Sequence, residues 1–81
     1  MMEQAGMTDE FARRRISYLW AEVVGPAVNR FTARRYVDGT TLHVYITSAA
    51  LKSELSFLVP RLVDRLNEAV GQIVITDIVI H

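Results

Sequence analysis

Cysteine is absent from this chain. Disulfide frameworks, thiolate metal sites and cysteine nucleophiles are therefore excluded. Histidine is nearly absent: His43 and His81 stand alone. They lack the HxxxH or HxH spacing that would bring two imidazoles to one ion, so no metal and no cofactor is expected. The four glycines are scattered at positions 6, 25, 39 and 71. Walker, GxGxxG and GxSxG signatures are accordingly missing, and the chain is expected not to be an enzyme. No apolar run approaches the roughly 18–20 residues of a membrane span. The opening MMEQAGMTDEF has no basic stretch leading into an apolar one. A secretory signal is not expected there, and a cytoplasmic location is the default.

Net charge is missing as well, because 9 basic residues (Lys and Arg) balance 9 acidic ones. That argues against a polycation coating nucleic acid or an anionic membrane. The balance is uneven along the chain, however. Residues 1–10 carry −3 through Glu3, Asp9 and Glu10. Residues 11–35 carry Arg13, Arg14, Arg15, Arg30, Arg34 and Arg35 against Glu22, a local +5, and the remainder carries −2. Arginine suits bidentate contacts to phosphate or carboxylate, and it stacks on aromatic rings. The basic half reads either as a binding face or as a solvated face balanced by acids brought near in the fold.

What is present fits one small globular domain over residues 1–81, with residues 1–8 expected to be flexible. Hydrophobic residues make up 51% and charged ones 22%, too apolar a balance for a disordered tail. A chain this short buries only about 60–65% of its unfolded surface, so its core is thin and a partner can add to it.

Thr8 is a candidate N-cap, with Asp9 and Glu10 in the first turn. Ala12, Ile16, Leu19, Trp20 and Val23 then form one stripe of an amphipathic helix, with Trp20 on the core side. Gly25-Pro26 ends or kinks it, and a further helical turn can follow over residues 26–31. From Thr32 to Thr47 the period becomes two: Leu42, Val44 and Ile46 alternate with His43, Tyr45 and Thr47. Asp38-Gly39 marks a hairpin. A loop of two residues or of three remains open, and with it which of Arg34 and Arg35 faces the core. Ser48 can cap a helix whose stripe is Leu51, Leu55, Leu58, Leu62 and Leu66. Pro60 predicts a kink in it, or two helices, and Gly71 suits the position just past its end. Along this helix Arg61 and Arg65 are expected to pair with Asp64 and Glu68, and Glu54 with Arg61. Residues 73–80 (IVITDIVI) read as a strand.

The predicted class is α+β, with helices on one face of a three-stranded sheet and the last strand parallel to one of the others. The second sheet face has no evident cover. His43 and Tyr45 are expected there, with Ile73, Ile75 and Val79 if Val74, Ile78 and Ile80 point inward. Tyr45, Ile73, Ile75 and Val79 thus form a candidate dimer face. Phe11, Arg14 and Tyr18 fall at i, i+3 and i+7 on the first helix, beside Arg15 and away from its apolar stripe. Aromatics among arginines suit stacking and phosphate contacts, or a protein groove with acidic and apolar parts. The alternative is that Phe11 and Tyr18 pack as secondary core.

Trp20–x3–Val24–Gly25, Thr32, Asp38-Gly39, Leu42–x–Val44, Ser48, Glu54-Leu55, Leu66-Asn67, Gly71 and the closing DIVI follow one another in an order that resembles the DciA family, from about Ile16 onward. The resemblance implies a KH-like fold of type II order, α-β-β-α-α-β, in a short single-domain bacterial form. It also implies a role in DNA replication, as a helicase loader that engages a DnaB-type helicase and DNA. The expected function is a non-enzymatic adaptor, with Arg13, Arg14, Arg15, Phe11, Tyr18, Arg30, Arg34 and Arg35 as candidate partner or nucleic-acid contacts. The alternatives are a degenerate KH-like binder of DNA or RNA and a homodimeric interaction module. The part played by Asn67 is open, a hydrogen bond to a neighbouring loop being the simplest.

Overall fold

The computed structural model describes the backbone of residues 5–81 and side chains from Glu10 onward. Residues 1–4, part of the segment expected to be flexible, lie outside the described residues. Helix α1 (Ala5–Val24) already runs at Ala5. Thr8 therefore lies inside it and is not its cap. The expected stripe is real: Ala12, Ile16 and Trp20 are buried, while Leu19 and Val23 pack against the core half-buried. Gly25, at φ +89°, turns the chain into α2 (Pro26–Asn29), with proline opening the new helix. The indole Nε1–H of Trp20 donates to Thr32 Oγ1 (3.0 Å), and that hydroxyl donates to the Val28 carbonyl (3.2 Å). One relay thus ties α1, α2 and the start of the sheet.

Strands β1 (Thr32–Asp38) and β2 (Thr41–Ile46) form an antiparallel hairpin. Asp38 pairs with Thr41, so the loop is two residues, Gly39-Thr40. Gly39 has φ +64°, and among the described residues no non-glycine residue has positive φ, which is the type II′ pattern with glycine first. This fixes the register. Arg34 lies opposite Tyr45 and Tyr36 opposite His43 on the outer face; Arg35 and Val37 lie opposite Val44 and Leu42 on the inner face. An irregularity between Thr32 and Arg34 lets the strand begin out of that phase.

Helix α3 (Ala49–Val70) is capped at both ends as expected: Ser48 Oγ accepts the Leu51 N–H (3.3 Å), and the Gly71 N–H reaches the Asn67 carbonyl (2.9 Å) at φ +92°. Pro60 neither ends nor divides it; α3 is a single helix of 22 residues. Ser56, whose carbonyl Pro60 leaves without a donor, and Pro60 itself are exposed, so water can take that carbonyl. The second short helix therefore precedes the sheet, as α2, instead of following it. Leu55, Leu62 and Leu66 are buried against Leu42, Val44 and Ile46 of β2 and Ile16 and Trp20 of α1.

Strand β3 (Asp77–Ile80) runs parallel to β2, giving sheet order β1-β2-β3. The α+β, KH-like class expected from the sequence is what the chain adopts. Residues 73–76, however, are not strand. The Asn67 side chain takes them instead: its Oδ1 accepts the N–H groups of Val74 (2.9 Å) and Ile75 (3.1 Å), and its Nδ2 donates to the Ile75 carbonyl (2.8 Å). Those backbone groups are thereby removed from any ladder, and Ile75 turns inward, fully buried.

Asn67→Ala should orphan three backbone groups beneath the α3–β3 connection. About 2–3 kcal/mol of stability is expected to go, a fall of roughly 10 °C or more in Tm for a domain of this size. Urea denaturation followed by Trp20 fluorescence measures it, and an unchanged midpoint would refute the clamp.

Candidate functional site

The outer face of α1 is the most exposed apolar surface of the helix. Phe11 is 67% and Tyr18 81% exposed, so neither is secondary core. Arg14 and Arg15 lie between them and are exposed too. Arg14 Nη2 meets Glu10 Oε2 at 3.4 Å, one turn back on the same helix; with both side chains in water this pair adds little.

The remaining candidate arginines separate. Arg13 Nε donates to the Gly39 carbonyl (3.2 Å), stitching α1 to the hairpin turn. Arg35, on the inner face, donates through Nε to the Ser17 carbonyl, stitching β1 to α1. Arg13, Arg14 and Arg35 together wall an open notch of about 350 Å³ with Glu10, Ser17 and Tyr36. Arg30 follows α2 as an exposed residue at its end, and Arg34 stands on the outer sheet face. The local +5 of the sequence is thus spread over the α1 face, the notch, the end of α2 and the sheet.

That outer sheet face is covered by its own side chains. The Arg34 guanidinium carbon lies 5.0 Å from the Tyr36 ring centre and 5.8 Å from that of Tyr45, within cation–π range. Tyr36 stacks on His43 (5.0 Å, 15°) and Tyr45 on His81 (4.3 Å, 11°). His43 Nδ1 and His81 Nε2 are 2.9 Å apart. That is closer than the roughly 3.5 Å at which ring faces touch, so these imidazoles meet edge to edge in a hydrogen bond. One nitrogen donates and the other accepts, and a single proton lies between them. The sequence marked His43 and Tyr45 for this face; it missed Tyr36 and Arg34 because they follow from the hairpin register.

The candidate dimer face is not assembled. Ile75 is in the core, and Ile73, 82% exposed, sits in the α3–β3 connection and not on the sheet. Only Tyr45 and Val79 remain on the outer face. The expected ion pairs on α3 are also missing: among the described residues, Arg61 and Arg65 approach none of Glu54, Asp64 and Glu68 within 4 Å. Side chains on a solvated helix gain too little from pairing to hold one geometry. Among the described residues no group of three or more His, Asp or Glu is placed to hold a metal, and no helix is long and apolar enough to cross a membrane.

Fold and surfaces together define a small KH-like α+β domain bearing aromatic–arginine faces. The model of the family described as Dna[CI] antecedent, DciA, matches residues 1–80, and the chain belongs to that family. DciA proteins are a non-enzymatic family known for loading the DnaB-type replicative helicase. A search of curated proteins returns no match.

The sheet face has a titratable reporter. Tyr36 is raised above its ordinary value of 10.0, first by the neighbouring Tyr45 phenol, then by desolvation, with Arg34 pulling the other way. Folding therefore favours the neutral phenol; the stabilisation is fully present below pH 10 and is lost as pH rises through the raised value. Tyr45→Phe removes the largest cause and should move one phenolate transition in an absorbance titration to lower pH. The variant titrates two phenols where wild type titrates three, and a Tyr36 transition at the same pH in both would contradict this coupling.

Proposed function

We propose that this chain is a non-enzymatic adaptor of a DnaB-type replicative helicase, acting in the bacterial cytoplasm. The family match across residues 1–80 carries the reading. The α1 face is the contact surface that fits it best. Two aromatic rings more than half exposed, interleaved with arginines, give a partner both apolar area and charge-assisted hydrogen bonds. Nothing in the core requires Phe11 or Tyr18 to be aromatic. Of the other candidates, Arg13 and Arg35 act mainly by holding α1 against the hairpin, which keeps that face in place. Purified protein should recover the helicase of the same organism in a pull-down. Phe11→Ala with Tyr18→Ala should weaken the complex about tenfold or more while leaving thermal unfolding unchanged. Recovery of no helicase by folded protein would defeat the proposal.

A second reading, binding of single-stranded nucleic acid, is favoured by Arg34 with its ring stack and by the arginine-walled notch. The chain has no GxxG loop with which KH domains clamp a nucleotide backbone, so a strand would have to be held by these side chains. Anisotropy with labelled oligothymidine should then show affinity falling with salt, by a log–log slope of about 0.7 per phosphate neutralised. Arg34→Ala should reduce that slope by about one contact. Undetectable binding at low salt removes this reading and leaves the adaptor intact.

A further inference from the structure

The C-terminal end of α1, α2 and the middle of α3 enclose a groove of about 240 Å³. Val24, Val28, Leu58 and Leu62 line it, and Arg61 and Arg65 stand beside them. Leu58 belongs to the apolar stripe of α3, yet it is 42% exposed where Leu55, Leu62 and Leu66 are buried. It is a core-type position left without cover. Arg61 and Arg65 are one turn apart on the same helix face, close enough to act on one partner segment. Both are exposed, and among the described residues neither forms an ion pair.

The volume is below the roughly 300–1,000 Å³ of small-molecule sites, and suits two or three apolar side chains. An aliphatic groove flanked by cations one turn apart fits an amphipathic helix. Its apolar anchors would fall at i, i+3 or i+4, with carboxylates on the flank. A second copy of this chain is a poor occupant. Its exposed aromatic helix face carries Arg14 and Arg15, which would meet Arg61 and Arg65 with like charge.

We propose that this groove receives an acidic amphipathic helix of the helicase, Leu58 contacting its apolar stripe and Arg61 and Arg65 its carboxylates. The inference rests on the adaptor reading and adds to it a second contact, separate from the α1 face.

The test is titration calorimetry of the whole chain against the helicase of the same organism. The double variant Arg61→Glu, Arg65→Glu and the single variant Leu58→Asp are compared with wild type. Each is expected to bind about tenfold or more weakly, and Arg61→Lys with Arg65→Lys to recover part of the loss. Methyl signals of Val24, Val28 and Leu62 should shift on complex formation in the wild type. The arginines are exposed, so their charge reversal should leave the chain folded, with Tm lowered by no more than the few degrees that the new like-charge pairs with Asp64 and Glu68 cost, and it serves if Leu58→Asp does not fold. If wild type itself fails to bind, the adaptor reading falls and this inference with it. If wild type binds and the arginine variant binds equally, only the groove is refuted. A homodimer in light scattering that the arginine variant dissolves would assign the groove to a second copy and overturn the proposal.

Discussion

A three-stranded sheet with helices on one side must protect its other side with its own side chains. That constraint organises the molecule. β2, the central strand, alternates buried Leu42, Val44 and Ile46 with half-buried His43 and Tyr45. The inner set receives α1 and α3. The outer set has no element to receive it. Leaving β-branched residues there would create an adhesive patch. Apart from Val79, rings and a guanidinium lie there instead, each adding roughly 0.2–1 kcal/mol through cross-strand contact while keeping polar edges toward water. The edge-to-edge His43–His81 bond extends this cover beyond Ile80, and the backbone follows: His81 exchanges hydrogen bonds with Val44 and Ile46 of β2.

The same economy governs α1. One side supplies Ile16 and Trp20, both fully buried, to a core with few large residues. Burying an indole requires a partner for its N–H, and Thr32 provides it while bonding onward to α2. The opposite side of the helix is thereby turned outward with no packing duty. Phe11 and Tyr18 would be costly there in a domain whose surface had no partner, since each exposes a large apolar area. Two arginines that sequence charge alone would assign to binding are occupied with backbone carbonyls at the seams of the fold. The length of the side chain explains this: a long stem packs across a seam while its head satisfies a carbonyl.

Much of this was legible in the sequence because local and tertiary demands agree. The stripe of α1, the alternation of β2, the Ser48 cap and the Gly71 stop each follow from a period or a backbone preference that nothing later contradicts. The misses occur where a single side chain or a solvent-facing position overrides the local pattern. Ile75 is β-branched among β-branched neighbours and reads as strand, but Asn67, eight residues earlier, occupies its backbone groups. Pro60 reads as a break, but it stands on the wet side of α3, where a lost hydrogen bond can be made to water. The hairpin register turned on whether the loop has two residues or three, a choice that moves every β1 side chain to the other face. For that reason the ring stack could not be read in advance although each of its members is plain in the sequence.

The surfaces left over bear on how so small a chain acts. Hydrophobic burial in a domain of this size leaves a narrow margin of stability, so uncovered apolar side chains are a cost unless an interaction offsets it. Two of the places where they lie are next to arginines: the α1 face with Arg14 and Arg15, and the groove with Arg61 and Arg65; Phe57 and Ile73 are exposed outside both. Two modest contacts on one rigid body act together through effective concentration, and need not be individually tight. Strong binding at a single face would resist release. Two weak faces bind firmly when both are engaged and let go when either is displaced, which suits the adaptor role proposed above.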